Sequence, residues 1–283
     1  MSPPKNIAAS IQARLRNEAR ATQMAYGTLL EHFVLARFLA RLSQSAYADR
    51  FVLKGAQLFR LWNDELHRPT RDADFLDNEV LAPESLAQVM DEICALTPLH
   101  ADTLKWLPST VSPIRAENED GGNRVKVTAL LGTMKIHLQI DVGYGDVITP
   151  PPKASQWPGI LDFPAVPIVT YPVETVIAEK LEATIRLGLA NSRMKDFYDL
   201  YWLLSRFPMD PELLQSAVRN TFERRQTPWP QTRPPAFTSA FFLDPDKIAQ
   251  WQAFLRKNAL TAPGLEEVIQ NIQSFLVAMS LMP

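Results

Sequence analysis

From Lys135 to Val142 the side chains alternate without a break. Ile136, Leu138, Ile140 and Val142 point one way; Lys135, His137, Gln139 and Asp141 point the other. Period two over eight residues describes a β-strand with one buried and one polar face. Such a strand needs partners, and its neighbours supply them. Residues 103–148 keep this period, interrupted at Gly121-Gly122 and Gly132-Thr133, which read as hairpin turns. The polar face cannot be core, so it is either solvent or a site.

The rest of the chain is mostly helical in pattern. Residues 6–45 lack Pro and place Leu30, Phe33, Val34, Phe38 and Leu42 at helical spacing, so two helices are expected to meet near Gly27. Phe51–Leu53 reads as a buried strand, Lys54-Gly55 as a turn and residues 56–62 as a helix. Residues 63–70 form a connector, 71–77 (RDADFLD) a strand, and 84–96 a helix with Pro83 at its start. Seven prolines between 149 and 172 mark an extended crossing segment or linker. Helices are then expected at 173–189, at 193–206 with Ser192 as N-cap, and near 245–258 and 264–281. A second Pro-rich break falls at 226–236. The fold class is α+β, with a small mixed sheet followed by a helical half.

Composition narrows the function classes. A chain of 283 residues with 46% hydrophobic and 21% charged residues is globular. The one cysteine, Cys94, excludes an internal disulfide framework and a thiolate zinc cluster, and reads as a small buried hydrophobe in an intracellular protein. No apolar run approaches the ~20 residues of a membrane span, and the first 20 residues lack the apolar core of a signal peptide. A net charge of −2 excludes a globally basic nucleic-acid binder. Residues 1–50 nevertheless hold seven Lys/Arg against three acids, a local excess of +4.

Five signals carry chemistry. Asp72 and Asp74 project from one strand face while Ala73 and Phe75 take the other. Two such carboxylates repel unless a cation lies between them, and a hard divalent ion suits the pair. A lone DxD is more often a solvated turn. Asp141 is a candidate third carboxylate. Lys54-Gly55 joins strand to helix, where backbone N–H groups suit a phosphate. Lys180 lies along an apolar stripe through Val176, Ile177, Thr184 and Leu187, so it either snorkels outward or reaches a buried anion; Glu179 and Glu182 fall on flanking faces. In SRMKDFYDLYWLL (192–204), Met194, Phe197, Tyr201 and Leu204 make the core stripe, Asp196 and Asp199 share another side, and Arg193 and Lys195 begin the helix. No HExxH, GxSxG or P-loop occurs.

Together these segments resemble one family. FVLKGAQLFRLWNDELHRPTRDADF (51–75), IDVGYGD (140–146), EKLEA (179–183) and SRMKDFYDL (192–200) are similar, in order and spacing, to the AbiEii/MenT-like nucleotidyltransferase toxins of toxin–antitoxin systems. The resemblance covers residues 10–205 and adds little beyond. It implies a DNA-polymerase-β-like core with N-terminal helices over 1–165 and a helical C-terminal lobe over 166–283, with the site in the cleft between them. It implies Mg²⁺- or Mn²⁺-dependent transfer of a nucleotide from an NTP to the 3′ end of tRNA, which blocks translation, and a cognate antitoxin encoded nearby. The expected setting is cytoplasmic, away from membranes.

Carried over by position, Asp72 and Asp74 hold the metal with Asp141 as a weaker third ligand. Lys54, Gly55 and Ala56 form the phosphate-facing turn, with Lys180, Arg193 and Lys195 on the nucleotide. Asp199 or Asp196 is the late catalytic acid. The wider superfamily has Gly-Ser at the turn and many relatives Gly-Gly; Gly55-Ala56 lacks the hydroxyl but keeps the backbone N–H. The acceptor's basic patch is assigned to the +4 N-terminal segment or to Arg186, Arg193 and Lys195. The competing readings are a kinase-like phosphotransferase, a metal-dependent ribonuclease and an inactive interaction module on the same scaffold.

Overall fold

The computed structural model describes residues 6–63, 67–114 and 121–282. It divides into two compact units, Met1–Gly145 with Lys153–Thr170, and Asp146–Pro152 with Tyr171–Pro283. Among the described residues no helix is long and apolar enough to cross a membrane.

The first unit opens with α1 (Ile7–Thr22) and α2 (Tyr26–Leu42). The Asn6 side chain caps α1 by accepting the Ala9 N–H at 3.0 Å. The break between the two helices comes at Gln23, which takes a left-handed φ of 56°, a few residues before Gly27. Thirteen of the 17 residues of α2 are buried, so this helix has almost no solvent face. The strands are β1 (Phe51–Lys54), β2 (Asp72–Asp77), β3 (Leu104–Ile114), β4 (Gly122–Leu131), β5 (Met134–Tyr144), β6 (Lys153–Trp157) and β7 (Val166–Thr170). They form a single mixed sheet in the order β3-β4-β5-β2-β1-β7-β6. β2 runs parallel to β5 and antiparallel to β1. α3 (Phe59–Trp62) and α4 (Pro83–Ala95) complete the unit, and α2 and α4 pack on the sheet.

The hairpin β4–β5 turns at Gly132, whose φ of 65° suits glycine. Val125, Val127, Ala129 and Leu131 of β4 join Ile136, Leu138, Ile140 and Val142 of β5 in the core. The proline-rich segment, expected as an extended crossing segment or linker, is extended and ordered into strands: it contains β6 and β7. Pro167 is tolerated inside β7 because β1 registers with β7 only at Leu53↔Thr170, leaving Pro167 a strand neighbour on one side only, Gln156 of β6.

The second unit is built from α5 (Val173–Leu187), α6 (Met194–Arg206), α7 (Pro211–Arg224), α8 (Ser239–Phe242), α9 (Pro245–Asn258) and α10 (Leu265–Ala278). α5 packs on α6 and α7, and α6 packs on α10. Asp210 caps α7 by accepting from the N–H groups of Glu212 and Leu213. The N-cap of α6 is Arg193 rather than Ser192; the Asn191 carboxamide accepts the Arg193 N–H just before it.

A buried ion cluster joins α2 to the start of β3. The Asp102 carboxylate accepts from Arg37 Nε at 2.9 Å and from Arg41 Nη1 and Nη2 at 2.6 and 3.0 Å. All three side chains are at most 3% exposed. Burial pushes the Asp102 carboxyl up, but the bonds from Arg41 and Arg37 outweigh it and hold the group below its usual range. Asp102→Ala leaves two buried guanidinium groups unbalanced and is expected to cost about 3–5 kcal/mol in urea unfolding, whereas Arg37→Met/Arg41→Met/Asp102→Ala recovers most of that loss. Because the native carboxyl titrates below its unfolded value of about 4, its contribution is present above that pH and is lost as pH falls through the native value. A single variant as stable as the wild type at pH 7 would refute this account.

Candidate active site

The first unit's carboxylates stand on two neighbouring strands. Asp72 and Asp74 alternate with buried Ala73 and Phe75 along β2. The parallel pairing with β5 sets Asp72 beside Gln139 and Asp74 beside Asp141. On the other side, Lys54 of β1 registers with Asp74. Three carboxylates therefore share one sheet face.

Gly55 follows β1 with a φ of 71°. A Cβ at this position would collide with the Asp74 side chain. The glycine thus serves twice: it permits the left-handed turn and lets the carboxylate lie against the backbone. The element after it is shorter than a regular helix. Gly55–Leu58, including Ala56, is a 3₁₀ turn that leads into the single turn of α3. So short an element has little dipole to offer, and the close backbone approach is what Gly55 supplies.

Arg124, which the motif pattern did not single out, sits opposite Asp141 across the β4–β5 hairpin. Its Nε and Nη2 donate to the two Asp141 oxygens at 2.9 and 2.7 Å. The Asp141 hydrogen bond first, and the nearby charges of Asp141, Asp72 and Asp74, raise the Arg124 pKa above its ordinary value despite some desolvation. A signal for it did exist. Counting equal steps back from the turn pairs Leu131 with Met134 and hence Arg124 with Asp141.

These residues fit a divalent ion in part. Asp72 and Asp74 offer two carboxylates on one face, with the backbone of Gly55 close to one of them, a set that suits Mg²⁺ completed by substrate phosphates. Asp141 is engaged bidentately by Arg124. Among the described residues no three His, Cys, Asp or Glu side chains converge as a metal-holding group.

The second unit holds a separate buried cluster. Lys180 Nζ of α5 lies 2.9 Å from Asp196 Oδ1 and 2.7 Å from Asp199 Oδ2 of α6. Arg193 Nε donates to Asp196 Oδ2 at 2.6 Å. The two aspartates are 1% and 0% exposed, while Arg193 and Lys195 lie at the surface. Burial pushes the Asp196 carboxyl up, and Lys180 and Arg193 more than reverse this, so it titrates below its usual range. Lys180 therefore reaches a buried anion and does not snorkel outward.

Sequence spacing also missed Arg225. It donates to Asp146 Oδ1 at 3.1 and 2.9 Å and to Glu182 Oε2 at 2.9 Å. Glu182, expected on a flanking face, is fully buried because Arg186 and Thr227 bond its other oxygen. Burial lowers the Arg225 pKa, but Glu179, Asp146 and the Glu182 bond carry it above the ordinary arginine range.

The +4 N-terminal segment offers only part of its charge as the basic patch expected of it: Arg16 and Arg20 of α1 are exposed, but other cations are engaged. Arg37 and Arg41 are buried on Asp102, Arg50 pairs with Asp77 and Glu79, and Arg14 pairs with Asp162. Lys5 lies outside the described residues. Cys94 is buried, which pushes its thiol up to about 12, as for an inert packing residue.

The family model described as "Nucleotidyl transferase AbiEii toxin, Type IV TA system" matches residues 37–271. A search of curated proteins found no match. Among solved structures, MenT4, a nucleotidyltransferase toxin from Mycobacterium tuberculosis H37Rv, is similar at a TM-score of 0.56 and 20% identity, covering 94% of this chain and 89% of that one. JHP933 from Helicobacter pylori is similar at a TM-score of 0.51 and 15% identity, covering 89% and 91%. At these identities the structural likeness is one of fold.

The Lys180 cluster yields a test. Lys180→Met removes the ammonium group that bonds both buried carboxylates, Asp196 and Asp199, which is expected to cost about 3–5 kcal/mol at pH 7.5. Without Lys180 the Asp196 pKa rises, so protonation relieves the variant as pH falls and its deficit against wild type narrows at pH 5. Urea unfolding at both pH values checks this; a deficit that widens toward acid would contradict it.

Proposed function

The chain belongs to the AbiEii nucleotidyl transferase toxin family, and from that premise we propose that it transfers a nucleotide from an NTP to the 3′ end of tRNA, in the presence of Mg²⁺, and thereby blocks translation. The observation that carries this reading is the pairing of Asp72 and Asp74 on one strand face with the Gly55 backbone packed against Asp74.

In the reaction the acceptor's terminal hydroxyl oxygen bonds to the α-phosphorus, the bond to pyrophosphate breaks, and the proton passes to solvent. Asp72 and Asp74 would hold the Mg²⁺, which supplies Lewis-acid stabilisation of charge on the phosphate oxygens. Gly55 and Ala56 offer backbone N–H groups to a phosphate, and Lys54 adds a cation on the same strand pair. Asp141 anchors Arg124, placing a guanidinium beside the two metal-holding carboxylates and reducing their mutual repulsion. In the second unit, Asp196 and Asp199 hold the Lys180 ammonium group, and the family resemblance assigns Lys180 to nucleotide binding and one of the two aspartates to catalysis. Arg193 and Lys195, surface cations at the start of α6, are the residues that the resemblance adds to Lys180 for nucleotide binding. The toxin–antitoxin description of the family supports an antitoxin as regulatory partner.

The test incubates the purified protein with total tRNA, Mg²⁺ and each α-³²P-labelled NTP in turn, followed by a denaturing gel. Label is expected on tRNA with at least one NTP. It should disappear with EDTA and fall roughly a hundredfold or more in Asp74→Ala, the scale of losing a preorganised electrostatic group at a reacting centre. Shortened RNA without label would identify a ribonuclease instead, and label from γ-³²P-NTP alone a kinase. Intact, unlabelled tRNA under every condition would overturn transfer to tRNA.

A further inference from the structure

The polar face of β3, β4 and β5 is more than a wet surface. On β4, Arg124, Lys126, Thr128 and Leu130 alternate with four buried residues; on β5, Lys135, His137, Gln139 and Asp141 do the same. Cross-strand pairing sets Lys126 beside Gln139, Thr128 beside His137 and Leu130 beside Lys135. On β3, Lys105 pairs with Leu130 and Thr110 with Lys126, which places Lys105 on the same face. Lys105, Lys126, Lys135 and His137 are all exposed.

The charge on this face has one sign. The described residues of the three strands carry Lys105, Arg124, Lys126 and Lys135 and a single acid, Asp141, which Arg124 engages. A face kept wet only for solubility mixes both signs. This one also leads somewhere. Asp141 stands beside Asp74, and the six residue steps from Lys135 to Asp141 span roughly 20 Å at the usual strand rise. A row of cations about that long thus ends at the Asp72 and Asp74 carboxylates. Of the N-terminal cations, Arg37, Arg41 and Arg50 are committed to ion pairs with buried carboxylates.

We infer that the β3-β4-β5 face is the track on which the acceptor RNA lies, with Lys105, Lys126 and Lys135 on successive phosphates and the RNA's 3′ end delivered to Asp72 and Asp74. This rests on the reading that the acceptor is RNA. The uncharged groups between the lysines suit a ribose-bearing strand. Thr128 Oγ1 and His137 Nδ1 share a hydrogen bond of 3.1 Å at the surface, and Gln139 stands one step nearer the carboxylates. Hydroxyl, imidazole and carboxamide groups can all bond a 2′-hydroxyl, and an imidazole ring can take a stacked base.

The experiment uses the full chain and fluorescein-labelled total tRNA, read by anisotropy across a salt series. Lys105→Ala/Lys126→Ala/Lys135→Ala is compared with Lys153→Ala/Arg256→Ala/Lys257→Ala, which removes the same charge from exposed positions elsewhere. The face triple is expected to weaken tRNA binding about tenfold or more and to reduce the slope of log K against log salt by about 2, at ~0.7 per lost single-strand phosphate contact. The control triple should bind like wild type, and all three proteins should gain the same melting-temperature shift from NTP with Mg²⁺. Equal tRNA binding by the two triples, or no tRNA binding by the wild type, overturns the track. Equal competition by single-stranded DNA of the same length overturns its assignment to RNA. If tRNA binds this face but receives no label, nucleotide transfer fails while the track stands. If the face triple labels tRNA with an unchanged KM, the track fails while transfer stands.

Discussion

Carboxylates cannot crowd one sheet face without a compensating cation, and the first unit is arranged around that constraint. Asp72, Asp74 and Asp141 are brought together by the parallel pairing of β2 and β5, a register fixed by the buried residues on the opposite face. Slipping it by one residue would turn Ile140 and Val142 outward. The core therefore sets the charge cluster, and Arg124 on the next strand answers it from a rigid hairpin. Gly55 completes the arrangement by giving the Asp74 carboxylate room that any other residue would fill.

The same economy runs through both units. Arg37 and Arg41 enclose Asp102; Lys180 and Arg193 enclose Asp196; Arg225 and Arg186 enclose Glu182. The three carboxylates are buried, so each is tolerable only because its partners stand within bonding distance. A charge counted along the sequence says nothing about whether it is spent internally. The N-terminal excess of +4 is a case in point: three of its arginines pair with Asp102 or Asp77, residues far along the chain.

What was legible followed from local periodicity. Alternation and the glycine-marked turn at Gly132 located β4 and β5, and the Asp72-Ala73-Asp74 pattern placed both carboxylates on one face; of the other turn expected, at Gly121-Gly122, Gly122 belongs to β4, and residues 115–120 before it lie outside the described residues. The joint order of several short motifs pointed to the nucleotidyltransferase toxin family that the comparisons support. The prolines between 149 and 172 indicated extended chain but not its pairing as strands β6 and β7, in which Pro167 needs no second partner. α7 went unrecognised, although Asp210-Pro211 is an N-cap followed by a proline at the first helical position. Glu182 and Arg225 were invisible for a different reason: they are 43 residues apart, and only packing of α5 on α7 makes them partners.

Asp141 shows how a residue can be read correctly for position and still change its meaning. Its alternation put it on the polar face beside Asp72 and Asp74, and by proximity alone it is a third metal ligand. Its two oxygens are instead engaged by Arg124, whose guanidinium is planar and bidentate and whose own backbone is fixed two strands from β2. A carboxylate in that state brings positive charge to the site through its partner. On this geometry the inner end of the cationic face and the outer edge of the carboxylate pair meet at one salt bridge, so Arg124–Asp141 marks where a polyanion's backbone would give way to its reacting end.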